Sequence, residues 1–388
     1  MYKTIDLFSG VGGVRRGFEL AGGFKTVLSA DIDKYAAESY QHLHGEESLN
    51  DVTSEDFKKL TVSLGYDTLL GGFPCQSFSR AGKQEGFLNA TKGTLFFDVA
   101  DIIKRSRPKT FLLENVDNLL SHDKGNTFKT ILETLVHELN YHVVGVHESP
   151  DGTLVWNRQS FKRNSKDFGV PQNRPRVFIM GFDKEYFKDK IDLIENFELP
   201  EKRERPAIFE TVDDILETNV DLKYFAAEGY IQSMKNHRDR HGAKGNGFGF
   251  IVVNDEDRKI RISNAVLATG GSGKERNLIR DVRPDVAGTI IKGKKSPLSA
   301  ECIRHMTPLE WARLQGFAGY GFVDADGVDH FSFPETMSNA QRYKQMGNSV
   351  TIPVIEELAL FMKSCLDLMG EENMKPEDGR DIDIVVAN

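Results

Sequence analysis

Short apolar runs alternate with helical patterns over the first 180 residues of the chain. Each run ends at a glycine or a polar residue, which is typical of buried strands. The predicted strands are Thr4–Phe8, Thr26–Ala30, Asp67–Leu70, Thr110–Leu113, Tyr141–His147 and Val177–Gly181. The predicted helices are Arg15–Ala21, Lys34–His42, Phe96–Arg105 and Thr127–Leu139. Because strands that alternate with helices build a parallel sheet covered on both faces, the predicted fold class is α/β, with a doubly wound, mostly parallel sheet.

The pattern changes after Phe182. Residues 183–205 are dense in charge, and residues 207–304 are rich in glycine, lysine and arginine with little periodicity. Regular structure returns at Thr307-Pro308-Leu309-Glu310, which has the composition of a helix capping box, and an apolar helix is predicted at Val354–Leu368. We therefore expect a catalytic domain in two parts and an inserted irregular domain. The expected limits are 1–185 and 305–370 for the catalytic domain, 186–304 for the insertion and 371–388 for a polar tail.

The composition narrows the class of protein. With 39% hydrophobic and 28% charged residues, the chain is neither disordered nor membrane-embedded. No apolar run approaches the ~18 residues of a spanning helix and no signal-peptide pattern is present, so we expect a cytoplasmic protein without a membrane partner. Cys75, Cys302 and Cys365 form neither a disulfide framework nor a metal-binding spacing. His237 and His241 are interpreted as part of a basic face rather than as metal ligands, so no metal is expected.

The net charge of −8 argues mildly against a nucleic-acid partner, but it is unevenly distributed. Residues 234–296 contain fourteen basic and seven acidic side chains, a net charge of +7, which leaves −15 on the rest of the chain. A basic, glycine-rich segment can place cations and backbone amides against a phosphate backbone. On charge alone, a solvated surface insertion is an equally good interpretation.

A glycine turn follows the first predicted strand, in Asp6-Leu7-Phe8-Ser9-Gly10-Val11-Gly12-Gly13. Glycines allow close approach of a ligand to the backbone, and the following helix amino terminus favours negative charge. Asp31 ends the second strand, where a carboxylate can accept hydrogen bonds from ribose hydroxyls. The turn fits a dinucleotide or an adenosyl cofactor, although the spacing of its glycines leans away from a pyrophosphate cradle. A merely tight strand-to-helix turn is the structural alternative.

Two further motifs carry reactive groups at predicted strand ends. Cys75 follows Gly71-Gly72-Phe73-Pro74, whereas Cys365 lies within an apolar helix pattern, as a buried structural cysteine would. Glu114, in Glu114-Asn115-Val116, directly follows an apolar run. A carboxyl group in such surroundings has a raised pKa and can transfer a proton near neutral pH. Taken singly, Glu114 is better interpreted as a helix cap.

Together these motifs resemble those of the DNA (cytosine-5)-methyltransferases of bacterial restriction–modification systems. The matching blocks, in the family's order, are Asp6–Gly13, Asp31–Asp33, Gly71–Ser79, Glu114–Val116, Gln172–Arg176, Thr307–Phe317 and Gln345–Val350. They span roughly residues 3–182 and 300–365. One departure is Pro175, which stands where the family often has glutamate and leaves both neighbouring arginines in place.

The resemblance implies a fold like that of methyltransferases that use S-adenosylmethionine, and transfer of the donor's methyl group to C5 of a cytosine flipped out of duplex DNA. The implied nucleophile is Cys75, whose thiolate would add to C6. Glu114 would contact N3 and the amino group of the base, Arg176 would anchor its O2, and Arg174 is the less certain catalytic partner. The product of the donor would be S-adenosylhomocysteine.

The same resemblance implies the binding residues. The cofactor residues would be Phe8, Gly10, Val11, Gly13, Asp31, Ile32, Asp51, Val52, Pro74, Leu95, Asn348, Ser349 and Val350. Ser77, Ser79 and Arg80 would contact DNA from a loop over the flipped base. The basic insertion would read the target sequence, with Arg276, Arg280 and Arg283 as candidate contacts.

Three other functions compete with this interpretation. A tRNA-methylating enzyme would share the motifs, but the long basic insertion and Phe73 before Pro74 favour DNA. A non-catalytic regulator would not need Cys75, Glu114 and Arg176. A nicotinamide-dependent dehydrogenase would leave Phe73-Pro74-Cys75-Gln76 unexplained. A monomer is expected, with any cognate restriction endonuclease acting separately, and neither the recognition sequence nor the modified cytosine follows from the sequence.

Overall fold

The computed structural model of the protein describes residues 1–74, 95–243, 250–269 and 273–370. Its strands are β1 (Tyr2–Leu7), β2 (Phe24–Ala30), β3 (Thr68–Gly71), β4 (Thr110–Val116), β5 (Tyr141–Val143), β6 (Val146–Glu148), β7 (Leu154–Trp156), β8 (Lys162–Asn164), β9 (Gln172–Asn173), β10 (Pro175–Asp183), β11 (Ser263–Asn264), β12 (Leu278–Arg280) and β13 (Ile303–His305). Its α-helices are α1 (Gly13–Ala21), α2 (Lys34–His44), α3 (Glu55–Leu64), α4 (Leu95–Ser106), α5 (Asn126–Glu133), α6 (Lys184–Phe187), α7 (Glu228–Gly242), α8 (Pro308–Leu314), α9 (Asn339–Asn348) and α10 (Ile352–Leu368).

A central seven-stranded sheet has the order β2-β1-β3-β4-β10-β5, with β8 paired to β10. Strands β2, β1, β3 and β4 are parallel, whereas β10 runs antiparallel to β4, β5 and β8. The predicted α/β class with a mostly parallel sheet is confirmed. The reversed direction of β10 matters for the site, because it pairs Arg176, near the start of β10, with Val116 at the carboxyl end of β4.

The apolar core lies on both faces of this sheet. Successive side chains of a strand point to opposite faces, so a strand buried on both sides is apolar throughout. In β4, Phe111 and Leu113 pack into one hydrophobic cluster with α4 and α5, and Leu112 packs into another with α1 and α10. This two-sided burial explains why the strands appear in the sequence as continuous apolar runs.

The end of the chain returns to the first half. Helix α10 packs in the same cluster as Val14 and Phe18 of α1. Phe187 and Leu199 belong to this cluster too, so the packing of the catalytic part continues beyond the boundary expected at residue 185. The predicted capping box is present at the start of α8, where Thr307 and Glu310 exchange hydrogen bonds. Among the described residues, no helix has the length and hydropathy needed to cross a membrane.

Two predicted elements are divided in the structure. The helix expected at Thr127–Leu139 is α5 followed by a π-helical turn at Thr134–Glu138. The strand expected at Tyr141–His147 is β5 and β6, separated at Gly145, whose φ of 81° belongs to the left-handed region. A run of apolar residues predicts burial but does not show where a left-handed glycine turns the chain.

Candidate active site

A cavity of about 610 Å³ opens at the carboxyl ends of β1, β3 and β4. The chain crosses from β2 over β1 to reach β3, so this edge is the switch point at which open α/β sheets bind ligands. The cavity is lined by the glycine turn (Phe8–Val11, Gly13 and Val14), by Asp31, Asp33 and Ala36, by Gly72–Pro74, by Glu114–Val116 and Arg176, by Val266–Ala268, and by Lys344, Gln345 and Gly347–Val350. Segments that are distant in sequence therefore line the same cavity.

The glycine turn and Asp31 are held together by backbone hydrogen bonds. Gly10 donates its N–H to Oδ2 of Asp31 over 2.9 Å, and Asp33 donates to Oδ1 over 2.8 Å. Burial raises the pKa of Asp31, and these two N–H donors act in the opposite direction. A Cβ built on Gly10, which has a φ of 55°, would meet no atom within 4 Å, so the turn borders open space at this residue.

Glu114 and Arg176 form a shielded pair on the opposite side of the cavity. Arg176 Nε lies 3.2 Å from Glu114 Oε1, and the side chains are 16% and 14% exposed. Burial raises the pKa of Glu114, while the positive charges of Arg176 and Arg174 oppose the shift. The carboxyl group can therefore hold a proton closer to neutrality than an ordinary glutamate. Because Glu114 lies within β4 and the residue before the following helical turn is Val116, the alternative of a helix cap is wrong.

Asn115 has a role that the sequence analysis did not assign. Its side-chain amide donates to the carbonyl oxygen of Phe73 over 2.8 Å, although the two residues lie on different strand ends. A Cβ on Gly72 would lie 3.4 Å from Glu114 Oε2. The segment that leads to Cys75 is thus fixed directly beside the Glu114 carboxyl group. Cys75 itself lies outside the described residues.

Arg174 lies behind the wall of the cavity rather than on its surface. The residue is 1% exposed, and its guanidinium donates to the carbonyl oxygens of Val266, Gly347 and Ser349 at 2.6–2.8 Å. Arg174 does not line the cavity, and its expected catalytic role stays a prediction. Its two terminal nitrogens bind three carbonyl groups and so join the insertion to the segment before α10, whereas its buried Nε has no partner among the described residues. Sequence spacing alone does not distinguish such an arginine from Arg176.

The insertion contributes a wall of the cavity, which the sequence did not predict. Val266, Leu267 and Ala268 line it, and the Val266 N–H donates to the side chain of Gln172 over 3.0 Å. A Cβ on Gly347 would come within 2.3 Å of the Leu267 carbonyl group. Glycine is therefore required at residue 347 for the close approach of these two backbones.

Only some of the remaining expected cofactor residues line this cavity. Pro74, Asn348, Ser349 and Val350 line it, together with Phe8, Val11 and Gly13. Ile32, Asp51, Val52 and Leu95 do not: Ile32 is 75% exposed, and Val52 is in the core. Asp51 accepts from the N–H and hydroxyl groups of Thr53, which lowers its pKa, and it follows a segment hydrogen-bonded to Asp31.

The expected DNA contacts are only partly described. Ser77, Ser79 and Arg80 lie outside the described residues. Arg280 pairs with Asp255 at 2.8 Å, and Arg283 pairs with Asp285 at 2.6 Å and donates to the Val220 carbonyl group. Arg276 is exposed, in a single turn before β12. Of the three arginines expected to read DNA, two therefore make bonds within the insertion.

The buried carboxyl group of Asp6, at the end of the strand before the glycine turn, predicts how the stability of the protein depends on pH. It is fully buried, and burial raises its pKa to about 7. The folded state then binds a proton between pH ~4 and ~7 that the unfolded state has released, so Asp6 lowers stability as the pH rises through this window. Relative to Asp6→Asn, the free energy of unfolding of the parent should fall by about 3–4 kcal/mol between pH 4 and pH 7, because each pKa unit corresponds to ~1.4 kcal/mol. Urea unfolding at several pH values measures this difference, with Asp56→Asn as the exposed control. If the free energies of unfolding of Asp6→Asn and the parent changed with pH in parallel, the raised pKa of Asp6 would be contradicted.

A mixed α/β sheet with a cavity at its switch point, a glycine turn and a shielded Glu–Arg pair is an arrangement typical of ligand-binding α/β enzymes. The chain matches the family model C-5 cytosine-specific DNA methylase over residues 2–364. It is 42% identical over 371 residues to the type II methyltransferase M.HpaII of Haemophilus parainfluenzae, which covers 95% of this chain and 90% of that protein. It is 34% identical over 393 residues to the DNA-cytosine methyltransferase of Escherichia coli (strain K12), with 93% and 77% covered.

The chain belongs to the C-5 cytosine-specific DNA methylase family, and it is a DNA (cytosine-5-)-methyltransferase. The resemblance found in the sequence motifs is thereby confirmed. Solved structures share the fold at lower identity. A DNMT2 mutant of Spodoptera frugiperda superposes with a TM-score of 0.58 at 20% identity, covering 93% of this chain and 100% of the other. The Entamoeba histolytica methyltransferase EhMeth gives 0.57 at 20% identity, covering 95% and 98%.

Proposed function

We propose that this enzyme modifies one cytosine of a specific duplex DNA sequence, as the methyltransferase of a type II restriction–modification system. The observation that carries the proposal is the largely shielded Glu114–Arg176 pair beside the segment that leads to Cys75. Several relatives at 34–42% identity bear the names of type II methyltransferases or of DNA-cytosine methyltransferases, which supports the same class of substrate. The basic insertion supplies the positive charge that a DNA partner requires.

The methyl donor proposed for the cavity is S-adenosylmethionine. The donor fits the residues present: the turn is open at Gly10, the carboxyl group of Asp31 is oriented by two N–H groups, and the buried hydroxyl of Ser9 has no partner among the described residues. When bound, S-adenosylmethionine would supply an electrophilic methyl group. Asp31 would accept hydrogen bonds from its ribose, and Phe8 would stack near its adenine. Asp51, just outside the lining of the cavity, would accept from the adenine amino group.

Cys75 is proposed as the nucleophile. Cytosine C5 is weakly nucleophilic, and addition of the Cys75 thiolate to C6 would place electron density on C5. After C5 has gained the methyl group, loss of the C5 proton would restore the double bond and expel the thiolate. Because C6 is inaccessible inside a duplex, the cytosine would have to leave the base stack.

Glu114 and Arg176 would hold the flipped base. With its raised pKa, Glu114 can donate a proton to N3 as negative charge develops on the ring, and Arg176 can donate to O2. Arg174 would act indirectly, by holding Val266 and Gly347 in the wall. Ser77, Ser79, Arg80, Arg276, Arg280 and Arg283 remain the proposed DNA contacts. We further propose a monomer that works in the cytoplasm, with any endonuclease acting separately.

Methyl transfer to two substrates tests this proposal. The protein is incubated with labelled S-adenosylmethionine and either duplex DNA or tRNA, and bisulfite sequencing of plasmid DNA from expressing cells then identifies the site. We expect transfer to duplex DNA at one cytosine of a short sequence. Transfer to tRNA alone would contradict the proposal, and transfer to neither would favour a non-catalytic regulator.

The covalent step has its own readout. Duplex DNA that carries 5-fluorocytosine at the target cannot release a C5 proton, so the adduct should survive denaturation and migrate slowly in a denaturing gel. Cys75→Ser should prevent this complex, whereas Cys302→Ser, at a buried cysteine remote in sequence, should leave it intact. An adduct that persists in Cys75→Ser would exclude Cys75 as the nucleophile.

A further inference from the structure

Two neighbouring side chains of α9 reach the first turn of α2. The ammonium group of Lys344 lies 2.7 Å from Oδ2 of Asp33. The side-chain amide of Gln345 donates to the carbonyl oxygen of Tyr35 over 2.8 Å, and its oxygen accepts from the hydroxyl of Ser39 over 3.1 Å. The contacts connect a segment near the end of the chain to a helix more than 300 residues earlier.

Asp33 links Lys344 to Asp31 through hydrogen bonds. Its Oδ1 caps α2 by accepting from the Tyr35 N–H over 2.9 Å, while Oδ2 is bound by Lys344. Its backbone N–H donates to Asp31 Oδ1, and the other oxygen of Asp31 accepts from Gly10. A continuous series of hydrogen bonds therefore runs from Lys344 through the Asp31 carboxylate to the glycine turn.

The carboxyl end of α9 forms the facing wall of the same cavity. Asn348 is the last residue of α9, and Ser349 and Val350 follow it. Because α9 is bonded to α2 near the middle of α9 and lines the cavity at its carboxyl end, the position of α9 determines the distance between the two walls. Lys344 and Asp33 also line the cavity themselves, with side chains 41% and 31% exposed.

We infer that Lys344 is a positioning residue for the methyl donor, which acts through Asp33 to orient the Asp31 carboxylate. The inference rests on the proposed function, in that Asp31 receives the donor's ribose. The Lys344–Asp33 contact is partly open to solvent, and pairs of this kind are worth about 1 kcal/mol or less, which corresponds to an affinity change of up to about fivefold.

A double-mutant cycle on the full-length protein tests the inference. Lys344→Met removes the charge but keeps much of the side-chain length, and Asp33→Asn removes the charge but preserves a helix cap. Calorimetric titration with S-adenosylmethionine and with S-adenosylhomocysteine should show about two- to fivefold weaker binding for each variant. The double variant should bind no more weakly than either single one, because both remove the same interaction.

Three further measurements separate positioning from a general loss of structure. Lys344→Arg should bind within twofold of the parent, and Lys344→Met should raise the KM for the donor without lowering kcat. Lys129→Met gives the matched control, since Lys129 pairs with Glu133 at 3.6 Å on the exposed face of α5 and its loss should leave donor affinity unchanged. Unaltered affinity in both single variants, or additive losses in the double variant, would overturn the inference alone. Failure of the parent to bind either compound would overturn the proposed function and the inference together.

Discussion

Replacement of Glu114 by glutamine should lower kcat by about 10²–10⁴-fold, the usual contribution of a positioned general acid. Glutamine preserves the size of the side chain and can still contact Arg176, so the protein should fold and bind the donor. It cannot deliver a proton to the ring. Burial gives Glu114 a raised pKa, and its protonated form is the one that the proposed mechanism uses. The kcat of the parent should therefore fall as the pH rises through that pKa, and this decline should be absent from Glu114→Gln.

Single-turnover methylation of duplex DNA, with calorimetric measurement of donor binding, separates these effects. Glu133→Gln, on the surface of α5, is the control and should match the parent. If Glu114→Gln kept kcat within threefold of the parent, the carboxyl group would not be the acid.

Replacement of Arg304 by methionine should lower the free energy of unfolding by about 3–5 kcal/mol, the usual cost of breaking a buried ion pair from one side. The side chains of Arg304 and Glu310 are both 0% exposed, and both nitrogens of the guanidinium fork bind Glu310 at 2.8 Å. Arg304 Nε also contacts Asp281 at 2.7 Å. Without the arginine, the Glu310 carboxylate would remain buried without a cation to balance its charge.

Denaturant unfolding measures this loss, and a second substitution identifies its cause. Arg304→Met combined with Glu310→Met should recover part of the stability, because the double variant leaves no unpaired buried charge. Lys223→Met, which breaks an exposed pair with Asp221 at 3.2 Å, should change stability by less than ~1 kcal/mol. An Arg304→Met protein as stable as the parent would show that the junction between β13 and α8 does not depend on this pair.

The sequence predicted those parts of the fold that depend on local pattern. The apolar runs around Leu69 and Leu112 predicted buried strands, because burial on both faces requires an apolar side chain at every residue. The antiparallel direction of β10 had no such signal, since an apolar run is the same whichever way its strand runs. The division of the strand at Gly145 was missed because a glycine within an apolar run can be either extended or left-handed.

The sequence predicted those parts of the candidate site that lie in recognisable motifs. Glu114 was expected from its place after an apolar run and Arg176 from the resemblance to the family, and the structure brings them together at the edge of the sheet. Arg174 was assigned to catalysis by the same resemblance, and nothing in the sequence indicated its bonds to three carbonyl groups. Lys344 was not singled out, since its partner Asp33 lies more than 300 residues earlier.

The close contact between Gly347 and the Leu267 carbonyl group bears on how the specificity of this enzyme could be re-engineered. An exchange of the whole insertion for that of a relative would replace Val266–Ala268 and with them one wall of the reaction cavity. A graft that retains residues 263–268, and so keeps the pairing of β11 with β9, would preserve this wall. Under the proposed function, the boundary of an exchangeable segment would therefore run through the insertion itself rather than along its ends.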